Sequence, residues 1–333
     1  MNKNDNSLLE IRHLKTQFFT RSGIVHAVDD VSLTVDKGKV VGLVGESGCG
    51  KSVTSLSIMQ LVSEPGKVVG GEIVFDGQDL LKLNKKQMNN IRGNDISMIF
   101  QEPMTSLNPV YTIGHQLSEA IFTHNKNISK TDAKKRIIDT LNLVGIPEAE
   151  KRYNVYPHQL SGGLRQRTMI AISLICNSKL LIADEPTTAL DVTIEAQIIR
   201  LMKDIQNKLN TSIIMITHNL GVVAEICDDV YVMYAGQVVE HTNVFDLFDN
   251  PKHPYTLGLL NSMPNSSLNT INKNEDKKRL YTIKGMVPNM LYPPKGCRFN
   301  PRCPDATEQC INTAPDLIDI GNNHCVRCLK YIK

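Results

Sequence analysis

Gly45-Glu46-Ser47-Gly48-Cys49-Gly50-Lys51-Ser52 fits the pattern G-x-x-x-x-G-K-[ST] with no position missing. It follows an apolar run, Val40-Val41-Gly42-Leu43-Val44, and precedes Ser52–Leu61, which has helical spacing. A strand, a glycine loop and a helix in that order form a cradle for phosphate. The glycines let backbone N–H groups turn inward at negative charge. Lys51 is expected to neutralise the β- and γ-phosphates of a nucleotide, and the Ser52 hydroxyl to ligate Mg²⁺. Gly45, Ser47, Gly48, Cys49, Gly50, Lys51, Ser52 and Val53 are therefore candidate nucleotide contacts.

A second apolar run, Leu180-Leu181-Ile182-Ala183, ends in Asp184-Glu185. Two carboxylates at a strand end suit metal binding by Asp184 and activation of water by Glu185. Alone that motif is weak; beside a phosphate loop it gains force. Ser212–Ile216 reads as a third buried strand, and Asp229–Glu240 as a hairpin turning at Ala235-Gly236. Between about Gln101 and Ser173 the texture is helical, with Ser129 as an N-cap before the amphipathic stretch Ala133–Leu143. Strands alternating with helices predict an α/β fold with a largely parallel sheet.

Leu160-Ser161-Gly162-Gly163-Leu164-Arg165-Gln166-Arg167 lies just before the acidic strand, Ser161 being 23 positions ahead of Asp184 (184 − 161). In that spacing it resembles the signature of ATP-binding-cassette ATPases. The resemblance implies a P-loop NTPase (RecA-like) core with an antiparallel β-subdomain, an inserted helical subdomain and a Cys-rich C-terminal extension. It implies that Ser161, Gly162 and Gly163 open a helix and meet the γ-phosphate of ATP bound to another subunit. Gln101 resembles the glutamine loop that touches Mg²⁺, Asp191 the loop that crosses the dimer, and His218 the switch histidine on the γ-phosphate. Phe18 resembles the aromatic on which adenine stacks, with Phe19 adjacent. Leu164 departs from the general family pattern, which has Gln there, and is similar to the peptide-permease branch.

Phe100-Gln101-Glu102-Pro103-Met104-Thr105-Ser106-Leu107-Asn108-Pro109, His253-Pro254-Tyr255-Thr256 and the tail segment Gly296–Pro304 narrow the resemblance to oligopeptide/dipeptide permease ATPases. It covers about residues 8 to 330. Implied partners are two transmembrane permease subunits, a second, paralogous ATPase subunit and an extracytoplasmic substrate-binding protein. The implied place is the cytoplasmic face of the cell membrane. Nickel and glutathione importers share much of this architecture.

Five of the eight cysteines, Cys297, Cys303, Cys310, Cys325 and Cys328, crowd the tail. In a reducing compartment this favours metal or iron–sulfur ligation over disulfides. The spacing lacks paired C-x₂-C knuckles, and Cys303 is followed by Pro, as in ferredoxin-type runs. In the permease family such a tail resembles a four-cysteine ligand set for a [4Fe–4S] cluster, here Cys297, Cys303, Cys310 and Cys328. Structural Zn²⁺ or uncomplexed thiols are the alternatives, as is Cys325 for the fourth ligand.

Length and composition agree with a globular protein of this kind. The 333 residues carry a net charge of +3 and no Trp, which gives no charge or stacking argument for nucleic acid. The N-terminus has no apolar export segment, and runs such as Met169–Cys176 are far short of the ~20 residues needed to span a bilayer. The expected division is a nucleotide-binding domain at 1–260, with its helical part at about 101–173, and an extension at 261–333. Asn265–Lys278 reads as a polar linker. A non-transport cassette ATPase would carry fused cassettes, a long coiled-coil insertion or a basic tail, and none is present. A redox protein would not need Lys51, Glu185 and His218 intact.

Overall fold

The computed structural model describes residues 6–101, 106–188, 190–263 and 281–332. The linker read at 265–278, Glu102, Pro103, Met104 and Thr105 of the glutamine loop, and Ala189 lie outside them.

In chain order the elements are β1 (Ser7–Thr20), β2 (Gly23–Asp36), β3 (Val40–Val44), α1 (Lys51–Ile58), β4 (Gly66–Phe75), β5 (Gln78–Asp79), α2 (Lys85–Ile91) and β6 (Ile96–Ile99). Next come α3 (Ile113–His124), α4 (Lys130–Leu143), α5 (Ala149–Arg152), α6 (Gly162–Leu174), β7 (Leu180–Asp184), α7 (Val192–Leu209) and β8 (Ser212–Thr217). The rest are α8 (Leu220–Ile226), β9 (Asp229–Tyr234), β10 (Gln237–Asn243), α9 (Val244–Asp249), α10 (Pro254–Asn261), α11 (Glu308–Asn312), β11 (Ile318–Asp319) and β12 (Cys325–Val326). They form two compact units: Met1–Leu8, Val35–Val40 and Lys82–Ile216, and Leu9–Thr34, Val41–Leu81 and Thr217–Lys333.

In the first unit β7 pairs in parallel with β6 on one side and β8 on the other. Every residue of β7 and β8 is buried, which is why both read as unbroken apolar runs without alternation. The helical stretch presents apolar residues at i, i+4: Ile113, Leu117 and Ile121 on α3, and Ala133, Ile137 and Leu141 on α4, all buried. Ser129 caps α4, its side chain accepting the Asp132 N–H at 3.0 Å, so the cap read from sequence is present.

The second unit holds two sheets. One runs β2-β1-β4-β5, with β1–β4 and β4–β5 antiparallel. The other runs β11-β12-β10-β9-β3, in which β3 pairs in parallel with β9 and the β9–β10 hairpin turns at Ala235-Gly236. The tail adds two short strands: Cys325-Val326 pairs with His241 and Glu240 of β10, and Ile318-Asp319 pairs with it in turn. The pairing covers the outer edge of β10, and two-residue strands carry no period from which a sequence could be read.

Candidate nucleotide site

The five buried residues of β3 deliver the chain into Gly45–Gly50 and α1. Gly45, Gly48 and Gly50 all have positive φ, +152°, +79° and +106°. At Gly45 and Gly50 a Cβ would also collide with the Met233 and Ala27 carbonyls, whereas Gly48 faces open space and needs glycine only for its backbone. Gly50 is the N-cap of α1 and offers no side chain to it, so no side chain competes for the first-turn N–H groups. Lys51 is 5% exposed, and its ammonium donates to the loop's own Gly45 and Glu46 carbonyls at 2.8 and 3.1 Å. Ser47 and Gly48 are exposed, and Ser52 and Val53 partly so. Burial pushes the Cys49 thiol up, so the side chain beside Lys51 is a neutral thiol.

In the first unit, Asp184 ends β7 and is 4% exposed. Glu185 follows in a left-handed conformation, φ +48°, a strained setting for a non-glycine residue that clusters at functional sites. Its N–H donates to the Ile216 carbonyl of β8 at 2.9 Å. Its carboxylate Oε2 accepts from Gln101 Nε2 and from Thr188 Oγ1, each at 3.0 Å. The parallel pairing of β6 with β7 brings Gln101, just past β6, to Glu185, 84 residues away in the chain. Sequence reasoning did not single out Thr188; its hydroxyl three residues after Glu185 was the available signal.

Ser161 is the N-cap of α6, its Oγ accepting the Leu164 N–H at 3.4 Å. Ser161 and Gly162 are exposed, so the positive end of a 13-residue helix faces outward. Gly163 lies against Ile194 of α7, where a Cβ would come within 3.0 Å of Ile194 Cγ2. Asp191 caps α7, its Oδ1 accepting the Ile194 N–H at 3.0 Å. His218 follows β8 and is exposed. Phe18 sits opposite Gly66 in the β1–β4 pair with its ring over that glycine, and Phe19 is 48% exposed.

In the second unit Cys297, Cys303, Cys310 and Cys328 line one cavity of about 260 Å³, together with His253, Phe299 and Lys330. Burial pushes the Cys297 and Cys303 thiols up, Cys303 to about 11. Neighbouring cysteines add to this: Cys328 and Cys310 act on Cys297, and Cys297 and Cys328 on Cys303. Cys325 is also raised by burial, but its charged neighbour is Asp319. Among the described residues no three His, Cys, Asp or Glu side chains form a group that could hold a metal ion. No helix among them is long and apolar enough to cross a membrane.

Residues 28–188 match the ABC transporter family, and residues 239–310 match the oligopeptide/dipeptide transporter C-terminal region. The chain is 54% identical over 326 residues to the oligopeptide transport ATP-binding protein AppD of Bacillus subtilis (strain 168), covering 98% of this chain and 97% of that one. It is 48% identical over 322 residues to the dipeptide transport ATP-binding protein DppD of Escherichia coli (strain K12), covering 97% and 96%. Its fold is similar to the dimeric ATP-binding cassette MJ0796 in a post-hydrolysis state bound to ADP and phosphate. There the TM-score is 0.64 at 26% identity, over 71% of this chain and 98% of that one. The chain thus has a cassette ATPase fold and belongs to the ATP-binding proteins of the oligopeptide/dipeptide ABC transporter family.

Proposed function

We propose that this chain is the ATP-hydrolysing motor of an importer of oligopeptides or dipeptides, acting at the cytoplasmic face of the cell membrane. The observation that carries the reading is the identity with an oligopeptide transport ATP-binding protein over 98% of the chain. Its partners are two transmembrane permease subunits, a paralogous ATPase and an extracytoplasmic substrate-binding protein. Residues 1–260 act as the nucleotide-binding domain, with about 101–173 as its helical part, and 261–333 as the extension.

The N–H groups of Gly45–Gly50 and the Lys51 ammonium hold the phosphates, and Ser52, Gln101 and Asp184 are assigned to Mg²⁺. Glu185 takes the proton from the attacking water, and Gln101 and Thr188 orient its carboxylate. His218 is assigned to the γ-phosphate, Phe18 to adenine and Asp191 to the contact between ATPase subunits. The exposed N-terminus of α6, with Ser161, Gly162 and Gly163, is suited to the γ-phosphate of a nucleotide on the paralogous subunit.

Cys297, Cys303, Cys310 and Cys328 are assigned to a [4Fe–4S] cluster. The four thiols line one cavity, and Cys325 is not among the residues lining it; structural Zn²⁺ is the alternative occupant. Bound there, the cluster would supply the positive charge that offsets four thiolates and the folding energy of a tail with little core.

The test is reconstitution. Purified alone, the chain should be a poor ATPase, and peptide-stimulated hydrolysis should need the permeases and the second ATPase. Full, substrate-stimulated activity from the isolated monomer would sink the shared-site reading. A homodimer that transports peptide would sink only the paralogous mate.

A further inference from the structure

We infer that Arg298 and Arg302, in the Cys-rich extension, are positioning residues for the phosphate-binding loop. They brace Gly45–Lys51 in the conformation that receives nucleotide. The inference rests on the nucleotide reading of that loop.

The Arg302 side chain is 3% exposed and grips the Glu46 carboxylate with both ends of its fork, Nη1 to Oε2 at 2.6 Å and Nη2 to Oε1 at 3.0 Å. The guanidinium is itself fixed by the extension: Nε donates to the Lys284 carbonyl at 3.1 Å and Nη2 to the Ile283 carbonyl at 3.3 Å. Nη1 also donates to the Tyr234 hydroxyl at 3.4 Å, and the group lies 5.7 Å over the Tyr234 ring. The Glu46 N–H donates to the Tyr255 hydroxyl at 2.8 Å. Tyr255 is fully buried, 4.6 Å from Tyr234 and 5.4 Å from Phe299, the aromatic between the two arginines in sequence.

Arg298 makes the second arm. It donates to the Ala235 carbonyl and pairs with Asp29. The next residue, Gly236, donates its N–H to the Cys49 carbonyl at 2.9 Å and accepts from the Asp29 N–H at 2.8 Å. The loop is thus held at Glu46 directly by Arg302, 256 residues downstream, and at Cys49 through Gly236 by Arg298.

A loop with three glycines at positive φ is permissive, and freeing it would transfer its ordering cost to nucleotide binding. Fixing one backbone residue corresponds to about a five- to thirtyfold change in an equilibrium constant. Loss of Arg302 also leaves the Glu46 charge unpaired in a loop that must accept a triphosphate.

The experiment measures ATP affinity of the full chain by calorimetry, and ATP KM and kcat in the reconstituted complex. Arg302→Gln should raise Kd and KM together by about five- to thirtyfold while kcat stays within about twofold. Arg302→Lys should recover part of the loss. The double variant Glu46→Gln/Arg302→Gln should bind no worse than Arg302→Gln, as expected of one shared interaction. Tyr255→Phe keeps the ring packing and removes only the hydroxyl that holds the Glu46 N–H; it should weaken binding severalfold, and it carries the test if Arg302→Gln does not fold. Unchanged affinity in folded Arg302→Gln or in Tyr255→Phe overturns the brace. Absence of ATP binding by the unaltered protein overturns the nucleotide reading instead.

Discussion

Replacing Glu185 by Gln tests the chemistry with little disturbance of structure. Glutamine has the same shape, so the left-handed backbone at φ +48° and the N–H bond to the Ile216 carbonyl are kept. Its amide oxygen can still accept from Gln101 Nε2 and Thr188 Oγ1, the two donors now on Oε2. Each bond loses its charge assistance, a change of about 1 kcal/mol in stability apiece. The base is lost outright. A positioned general base contributes about 10²–10⁴ in rate, which is about 3–5 kcal/mol of barrier. Single-turnover ATP hydrolysis in the reconstituted complex should therefore fall by that factor while ATP binding persists, and the ATP-bound dimer should be trapped closed. Hydrolysis within about tenfold of the unaltered complex would refute the assignment of Glu185.

Phe18→Ala should raise the ATP Kd by about tenfold through loss of adenine stacking, with Phe19→Ala near neutral; the reverse order in a binding titration would move the platform to Phe19. Protein purified without oxygen should be brown. Cys303→Ser should bleach it, open the tail to protease and weaken ATP binding through Arg302, and Cys325→Ser should do none of these; stoichiometric zinc without iron would overturn the cluster. Burial, aided by nearby His324 and opposed by Asp319, lowers His241 to about 4. The unfolded chain, near 6.5, then binds more protons than the folded one between those values, so this stability is present above pH 6.5 and lost as pH falls towards 4. At pH 5 the loss is about 2 kcal/mol. In urea titrations His241→Gln should shrink the pH 7-to-5 drop by that amount, and an unchanged drop would count against the burial argument.

The phosphate loop was readable because its chemistry is local. Three glycines, Lys51 and Ser52 set backbone freedom and charge within eight residues, between a strand and a helix with clear periodicity. The cap read at Ser129 is local in the same sense, a side-chain oxygen meeting an N–H three residues on; Ser161 and Asp191, read for the γ-phosphate and the dimer contact, cap their helices in the same way. The hairpin at Ala235-Gly236 is likewise written in adjacent residues. Other features depend on which strand ends the topology sets side by side. Gln101 reaches Glu185 only because β6 and β7 are parallel neighbours. Cys328 rather than Cys325 lines the cavity because residues 325–326 are spent on pairing with β10. Arg302 meets Glu46 across 256 residues. By itself the sequence determined a strand, glycine loop and helix in order, a buried strand ending in an acid, and a family. Tertiary structure alone decided what holds the loop in place, since dihedral preference and hydrophobic period extend over a few residues and carry nothing about partners hundreds of positions away.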